Sequence, residues 1–260
     1  MGIRCVYTDL DGTLLGQGAS LFRSAEGEFT LLAARALGAC HRAGVEVVIK
    51  SGRRRAQVME DARLLGQSSY IFEVGSGLVI DGETTFLTDE LEPRDGETVH
   101  AQIAASGAPD LLLSHYAGRL ESHAPFHQDR EVSHLFRGSV DADEANALLA
   151  AQGHHGLRLV DNGKIAPDTH TFHLIPAGVS KARAVAAHMR ARGYAREECV
   201  AVGDSREDLE VADVVGRLFG HRRNRRRATP LPRRHSAGGP GGPPPAHRGH
   251  AVAGEGDRPG

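Results

Sequence analysis

The sequence lacks Trp altogether, and aromatic residues make up only 5% of its 260 positions. With so few aromatic side chains, a surface on which single-stranded nucleic-acid bases stack is not expected. Three cysteines, Cys5, Cys40 and Cys199, are too few and too widely spaced for a disulfide framework or a paired metal-ligand motif. We expect each of them to be a small buried side chain.

Longer patterns are missing as well. No apolar run approaches the roughly 20 residues that span a bilayer, and the first residues show no secretory-signal pattern. The chain has no Walker A sequence, no G-x-G-x-x-G fingerprint and no G-x-S-x-G elbow, which argues against the NTPase, dinucleotide-binding and hydrolase classes that carry them. We therefore expect a protein of the cytoplasm, a reducing compartment, without membrane contact.

Charge is divided unevenly along the chain, whose formal net charge is −2. Residues 221–260 hold nine Arg, no Lys and two acidic residues, a net charge of +7, whereas residues 1–220 hold 22 basic and 31 acidic residues, a net charge of −9. The segment is also rich in Pro and Gly, which predicts a disordered tail. Two interpretations stay open: a basic arm that contacts nucleic acid or another polyanion, or an out-of-frame terminus of a GC-rich gene.

Strand and helix patterns alternate before this tail, which predicts a doubly wound, Rossmann-like α/β core with a parallel sheet. Short apolar runs predict strands, and apolar residues at helical spacing predict helices between them. The predicted strands are 3–10, 45–50, 70–74 and 198–204, and the predicted helices are 29–44, 55–66, 180–193 and 206–213.

The pattern weakens in the middle of the chain. We expect a core formed by residues 1–82 and 169–220, with residues 83–168 as an inserted α+β module. The predicted disordered tail follows as residues 221–260.

Two carboxylates end the first predicted strand. Asp9 and Asp11 point to the same side of an extended backbone, and Gly12 permits the sharp turn that follows. Ligands bind beyond the carboxyl ends of strands in open α/β sheets, and two adjacent carboxylates need a compensating cation such as Mg²⁺. An ordinary Asp-Gly turn is the alternative interpretation.

Two further motifs carry hydroxyl and cationic groups. Ser51 and Gly52, followed by Arg53, form a candidate phosphate cradle, for which a helix N-cap is the alternative. Lys181, at the start of a predicted helix, is one of only three Lys among 31 basic residues. It is a candidate functional residue, with a solvated surface charge as the alternative.

A second pair of carboxylates follows the last long strand. Asp204 and Asp208 are one helical turn apart, a spacing that can place both around one hard cation. An acidic N-cap and first-turn charges that favour the helix dipole explain the same residues.

Taken together and in this order, TDLDGTLL, KSGRR, GVSKARAV and GDSREDLE resemble the motifs of the haloacid dehalogenase-like phosphohydrolase superfamily. The insert between the second and third motifs looks like that of the C2-cap subfamily, which includes sugar-phosphate and mannosyl-3-phosphoglycerate phosphatases and a branch of phosphomannomutases. The resemblance covers residues 3–219 and leaves out the tail.

This resemblance implies a Mg²⁺-dependent phosphatase that works through an aspartyl-phosphate. The catalytic residues it implies are Asp9 as nucleophile, Asp11 as general acid/base, and Lys181. The phosphate-binding residues it implies are Ser51, Gly52 and Lys181. The metal-binding residues it implies are Asp9, Asp11, Asp204 and Asp208.

The sequence departs from the family pattern at two places in the core. Lys50 precedes Ser51 where the family more often has a small residue, and we expect little effect because the hydroxyl is kept. Glu73-Val74-Gly75 stands where the subfamily commonly has Glu-Asn-Gly, so Val74 takes the place of the Asn.

The expected substrate is a small phosphorylated metabolite, a sugar phosphate or a glycosyl-phosphoglycerate. Arg130, His134 and Arg137 of the insert are candidate substrate contacts, with solvated surface charge as the simpler interpretation. Two alternatives remain: a phosphomutase of the same fold, or a non-catalytic protein that binds a polyanion through its Arg-rich tail.

Overall fold

The computed structural model describes residues 2–203 and 205–220. The strands, in chain order, are β1 (Cys5–Asp9), β2 (Glu46–Lys50), β3 (Ser69–Phe72), β4 (Gly77–Ile80), β5 (Glu83–Phe86), β6 (Leu120–Ser122), β7 (His134–Gly138), β8 (Leu157–Ala166), β9 (Thr169–Pro176), β10 (Cys199–Gly203) and β11 (Arg217–Gly220). The helices are α1 (Leu32–Arg42), α2 (Arg55–Leu64), α3 (Val99–Ala105), α4 (Ala108–His115), α5 (Ala142–Ala151), α6 (Lys181–Arg192) and α7 (Arg206–Glu210). Among the residues described, no helix is long and apolar enough to cross a membrane.

The larger of two sheets forms the core. Its strand order is β11-β10-β1-β2-β3-β4-β5. The strands from β11 to β3 pair in parallel, and β4 and β5 extend the sheet as an antiparallel hairpin. A mostly parallel sheet with crossover helices is the predicted doubly wound α/β class, which the structure confirms.

Helices cover both faces of this sheet because its central strands are apolar on both sides. On β2, Val48 packs into the cluster that contains Val185 of α6, and the next residue, Ile49, packs on the opposite face against Val58 of α2. All four side chains are fully buried. Burial stabilises each by roughly 1.5–3 kcal/mol relative to exposure, so the layers fix where the strand ends lie.

The second sheet is fully antiparallel, in the order β6-β7-β9-β8. Side chains alternate between its faces, as in any strand. Phe172 and Leu174 of β9 face the apolar cluster that includes residues of α3, α4 and α5, whereas Ile175 packs with Val74 and Val179. The second face of this sheet therefore faces the core, near the end of β3.

The strand pairings of the two sheets bear on both predicted boundaries of the insert. Residues 83–86 form β5, which pairs with β4 of the core sheet, and residues 169–176 form β9, which pairs with β7 and β8. The sequence suggested a return to the core at residue 169 because β9 is nearly as apolar as a core strand. We propose residues 87–176 as the insert.

Other elements of the insert differ from expectation. The apolar runs LRLV, at 157–160, and KIA, at 164–166, indicate two short strands in the sequence. In the structure they belong to one strand, β8, whose register shifts twice opposite β9. Helix α4 and strands β6 and β7 had no clear sequence pattern, since each spans eight residues or fewer. The predicted disordered tail, 221–260, lies outside the described residues.

Candidate active site

Four charged side chains meet at the carboxyl edge of the core sheet. Asp9 and Lys50 are the last residues of β1 and β2 and lie side by side in the strand register. Lys181 is the first residue of α6, whose N-terminus is capped by the Ser180 hydroxyl. Asp208 lies in the first turn of α7. Strand ends and helix N-termini converge at this edge in doubly wound sheets, which brings residues distant in sequence together.

The four groups form one network of ion pairs. Lys181 Nζ lies 2.7 Å from Asp9 Oδ1 and 3.0 Å from Asp208 Oδ1. Lys50 Nζ donates to the same Asp208 oxygen and, at 3.1 Å, to the carbonyl of Val202. All four charged residues are buried. Buried charges are tolerated only when paired, and here two cations balance two anions.

Asp208 is saturated with hydrogen bonds. Its Oδ1 accepts from the two Lys residues, and its Oδ2 accepts from the Ser205 backbone N–H at 3.1 Å and the Ser205 hydroxyl at 2.6 Å. Gly203 makes this approach possible, because a Cβ there would lie 2.4 Å from Asp208 Cγ. Asp204, the other predicted metal ligand of this motif, lies outside the described residues.

One oxygen of Asp9 has no hydrogen-bond donor among the described residues. Within the described part of the chain, only its Oδ1 accepts a hydrogen bond. Burial raises the pKa of Asp9, and the ammonium of Lys181 lowers it; the net result is a pKa of about 6. Burial also raises the pKa of Asp208, but the ammonium groups of Lys181 and Lys50 outweigh it and hold that pKa below its usual range. Asp9 is thus the less stabilised, more basic carboxylate of the two.

The two Lys residues respond differently to the same surroundings. Burial lowers the pKa of each, since it disfavours the charged form. For Lys181 the carboxylates of Asp9 and Asp208 outweigh burial, and its pKa lies above the usual value. For Lys50 burial prevails and the pKa is lowered.

Asp11 stands apart from this buried network. Its side chain is 57% exposed and is held by Arg53, whose Nε and Nη2 lie 2.9 and 2.6 Å from the two carboxylate oxygens. Arg53 is fixed in turn by Asp61, 2.9 Å from Nη1. The sequence predicted one direction for Asp9 and Asp11, but the two carboxylates bind different partners.

Ser51 and Gly52 form a tight loop after β2. The Ser51 backbone N–H donates to Ile71 at 3.0 Å, and its hydroxyl accepts from the backbone N–H of Arg53 at 3.1 Å. A Cβ at Gly52 would lie 2.5 Å from Asn162 Nδ2 and 3.0 Å from His173 Nε2. Because Gly52 has no side chain, Asn162 and His173 of the insert can approach the predicted phosphate cradle.

Three insert residues approach this loop. Arg130 Nη1 donates to the Gly52 carbonyl at 3.1 Å and to the Ser133 hydroxyl at 2.9 Å. His173 Nδ1 lies 3.1 Å from that hydroxyl, and burial holds the pKa of His173 well below its usual value, so the ring is neutral. The Oδ1 of Asn162 is buried and accepts no hydrogen bond from the described residues. The insert therefore presents polar groups to the loop.

Glu73 joins the core to the insert. Its buried carboxylate accepts from the backbone N–H groups of Glu131, Val132 and Ser133 at 2.9, 3.2 and 2.6 Å, and from the Ser133 hydroxyl at 2.9 Å. Glu73 and Val74 both have positive φ angles, 45° and 61°, a strained backbone for residues with a Cβ. The carboxylate thus fixes the segment that carries Arg130.

The other two predicted substrate contacts are placed elsewhere. His134 Nε2 lies 2.9 Å from the carbonyl of His100 on α3, and the two rings stack. Arg137 pairs with Glu121 of β6 at 2.7 Å and is 45% exposed. These contacts stay within the insert, so of the three candidates the structure brings only Arg130 to the phosphate loop.

Sequence reasoning missed four residues of this site: Lys50, Glu73, Asn162 and His173. A signal for Lys50 was present, since Lys is rare in this chain and stands where the family has a small residue. Glu73 lies in the Glu73-Val74-Gly75 segment compared above with the subfamily's Glu-Asn-Gly, but its partners had no signal in the sequence. It meets Ser133, for example, across 60 residues of sequence. Asn162 and His173 had no local signal.

Comparisons with known proteins agree with this architecture. The chain is 30% identical over 176 residues to a phosphoglycolate phosphatase of Halorubrum lacusprofundi, covering 66% of this chain and 69% of the relative. It is 27% identical over 219 residues to a phosphoglycolate phosphatase of Methanoculleus marisnigri, covering 82% of each. No protein-family model matches the sequence.

Two solved structures show the same fold. A haloacid dehalogenase-like hydrolase from B. subtilis superposes with a TM-score of 0.58 at 19% identity, covering 84% of this chain and 89% of that chain. The sucrose-phosphatase from Synechocystis, solved with sucrose and phosphate, gives a TM-score of 0.55 at 16% identity, covering 82% and 80%.

Proposed function

The chain belongs to the haloacid dehalogenase-like phosphohydrolase superfamily and is a phosphatase. From this we propose that it hydrolyses a small phosphorylated metabolite in a Mg²⁺-dependent reaction, with Asp9 as the nucleophile. The observation that carries the proposal is the free oxygen of Asp9. This carboxylate is buried at a strand end, bound on one oxygen by Lys181 and unbound by described residues on the other.

In the first step, Asp9 Oδ2 attacks phosphorus, and the bond from phosphorus to the leaving oxygen breaks. The Lys181 ammonium offsets the repulsion between the Asp9 carboxylate and the anionic phosphoryl group. Arg53 binds both carboxylate oxygens of Asp11. Once released from Arg53 and protonated from solvent, Asp11 would donate that proton to the leaving alcohol. In the second step, Asp11 takes a proton from water, whose oxygen attacks phosphorus and returns Asp9 as a carboxylate with inorganic phosphate as product.

The phosphate loop supports this assignment. The Ser51 hydroxyl, the Gly52 backbone and the Lys181 ammonium are the groups that would hold the transferring phosphoryl oxygens. Ser51 and Lys181 are buried and fixed by neighbours, so little reorganisation is needed at the moment of reaction.

Asp9, Asp11 and Asp208 offer only oxygen atoms, the ligands that a hard divalent cation prefers. Among the described residues, none donates to Asp9 Oδ2, which is therefore available as a ligand. Both oxygens of Asp208 accept hydrogen bonds, which suits a supporting role, and Asp11 could ligate only after Arg53 releases it. Asp204 would complete the set. Bound Mg²⁺ would neutralise charge on the phosphoryl group.

Phosphoglycolate is the first substrate to test, because the relatives named above act on it and because Arg130 brings a buried guanidinium to the loop. A sugar phosphate is the second. The Ser133 hydroxyl donates to Glu73, so His173 Nδ1 must carry the proton and Nε2 is an acceptor for a substrate hydroxyl.

We propose that the protein acts in the cytoplasm. No disulfide joins Cys5, Cys40 or Cys199 in the structure, which fits a reducing compartment.

Phosphate release from phosphoglycolate, sugar phosphates and para-nitrophenyl phosphate, with Mg²⁺ or with EDTA, tests the proposal. We expect release that requires Mg²⁺ and is abolished by Asp9→Asn. Asp110→Asn, at an exposed position of α4, is the matched control and should keep full activity. Release that persists in EDTA or in Asp9→Asn contradicts the proposal. Interconversion of sugar phosphates without phosphate release would instead identify a mutase.

A further inference from the structure

Lys50 is a cation with no solvent exposure at the end of β2. Its Nζ contacts Asp208 Oδ1 and the Val202 carbonyl, at 3.1 Å from the latter. Placing an ammonium in such surroundings is costly unless it is paired. A side chain kept there against that cost, in a chain with only three Lys, acts on the groups it touches.

The groups it touches belong to the proposed metal site. Lys181 already pairs with both Asp9 and Asp208, so Asp208 Oδ1 carries two ammonium partners. With Lys50 the four buried residues have a net charge of zero, and without it they have a net charge of −1. The electrostatic potential that a divalent cation meets at this edge therefore depends directly on Lys50.

We propose that Lys50 is a positioning residue that acts through its ion pair with Asp208 and lowers the affinity of the site for divalent cations. The inference rests on the proposed Mg²⁺-dependent function. It assigns Lys50 no contact with substrate. The ammonium repels the incoming ion and competes for the Asp208 carboxylate, which keeps metal binding reversible.

Metal binding to the full-length, metal-free protein tests the inference by titration calorimetry with MgCl₂ at constant ionic strength. Lys50→Met keeps the length of the side chain and removes its charge, and Lys50→Ala introduces a small residue like those the family has here. We expect the Kd for Mg²⁺ to fall at least about tenfold in both variants, because a repelling charge is removed from a buried site. Lys164→Met, the same change at an exposed Lys of the insert, should leave the Kd unchanged.

An unchanged or weaker Kd in either folded variant overturns the inference, since a purely structural Lys would loosen the site when lost. Phosphate release gives a second readout, in which the Mg²⁺ concentration for half-maximal rate should fall in the variants. Absence of Mg²⁺ binding by the wild-type protein, with EDTA-resistant phosphate release, would contradict the proposed function itself. Mg²⁺ binding by wild type that Lys50→Met and Lys50→Ala do not tighten contradicts the role of Lys50 alone.

Discussion

Two carboxylates lie at opposite ends of the core strands: Asp9 ends β1 and Glu46 begins β2. Their hydrogen bonding differs, and their pKa values shift in opposite directions. At the carboxyl edge, Asp9 has one hydrogen-bonded oxygen and a pKa raised to about 6, with burial as the main cause. At the amino edge, Glu46 accepts hydrogen bonds on both oxygens, and its pKa falls to about 2.

The hydrogen-bond donors around Glu46 explain its low pKa. Burial alone would raise the pKa of Glu46. The nearby His188 ring, whose Nε2 lies 3.4 Å from Oε1, and hydrogen bonds from Ser69 and Tyr194 outweigh it. Arg192 Nη2 also donates to Oε1 at 3.1 Å. A carboxylate with all its acceptor sites filled stabilises the fold, whereas one left short of donors keeps a basic oxygen for chemistry. The number of donors, more than burial, separates the structural carboxylate from the reactive one.

The largest effect that tests this comparison is expected for Asp9→Asn. The amide keeps the shape of the side chain but is not a nucleophile, so phosphate release should fall at least about 10³-fold. Initial rates and thermal unfolding are measured together. A folded variant that keeps more than a tenth of the wild-type rate would contradict the role of Asp9.

The reverse outcome is expected for Glu46→Gln. Loss of charge-assisted hydrogen bonds should lower the free energy of unfolding by about 2 kcal/mol and Tm by about 4–8 °C, with kcat unchanged. Its depressed pKa means that Glu46 adds stability above its ordinary pKa of 4.5, and that this stability is lost as pH falls through about 2. In urea denaturation, the gap between wild type and variant should close over that range; a constant gap contradicts the account.

Glu73→Gln tests whether the number of hydrogen-bond donors to a carboxylate or its position near the phosphate loop decides its effect on activity. Glu73 is fully paired, as Glu46 is, but it lies beside the phosphate loop and fixes the segment of Arg130. We expect stability to fall and kcat/KM to fall about tenfold, because displaced binding groups cost rate. Hydrogen exchange at the amides of residues 131–133 should accelerate in parallel. Unchanged kcat/KM in a folded variant would show that the clamp is structural only.

Asn162→Ala is the smallest expected effect. Like Asp9 Oδ2, Asn162 Oδ1 accepts no hydrogen bond from the part of the chain that the structure describes. Its loss should raise KM about fivefold and leave Tm within about 2 °C. Asn146→Ala is the matched control, since that amide is paired with Leu159 at 3.0 and 2.7 Å. The control should lower Tm and leave KM unchanged, and an equal effect of both on KM would break the comparison.

The two sheets also differ in how much the sequence revealed. In the core, Asp9, Ser51, Lys181 and Asp208 follow strand ends or open helices, so topology alone brings them to one edge. In the insert, the sequence does not show which face of β9 lies toward the core. The predicted return to the core at residue 169 differs from the boundary that we propose, because β9 is nearly as apolar as a core strand. Nothing near Glu73 in the sequence indicates its partner 60 residues away.

The central claim, that Asp9 receives the phosphoryl group, is tested most directly by trapping the acyl phosphate. The enzyme is quenched with acid during turnover, reduced with sodium borohydride, digested and analysed by peptide mass spectrometry, beside Asp9→Asn. The account expects reduction of the carboxyl group at position 9 to an alcohol, only in the presence of substrate and only in the wild-type protein. Reduction at another carboxylate, or phosphate release with no reduced carboxyl group under conditions that trap a known aspartyl-phosphate, would contradict it.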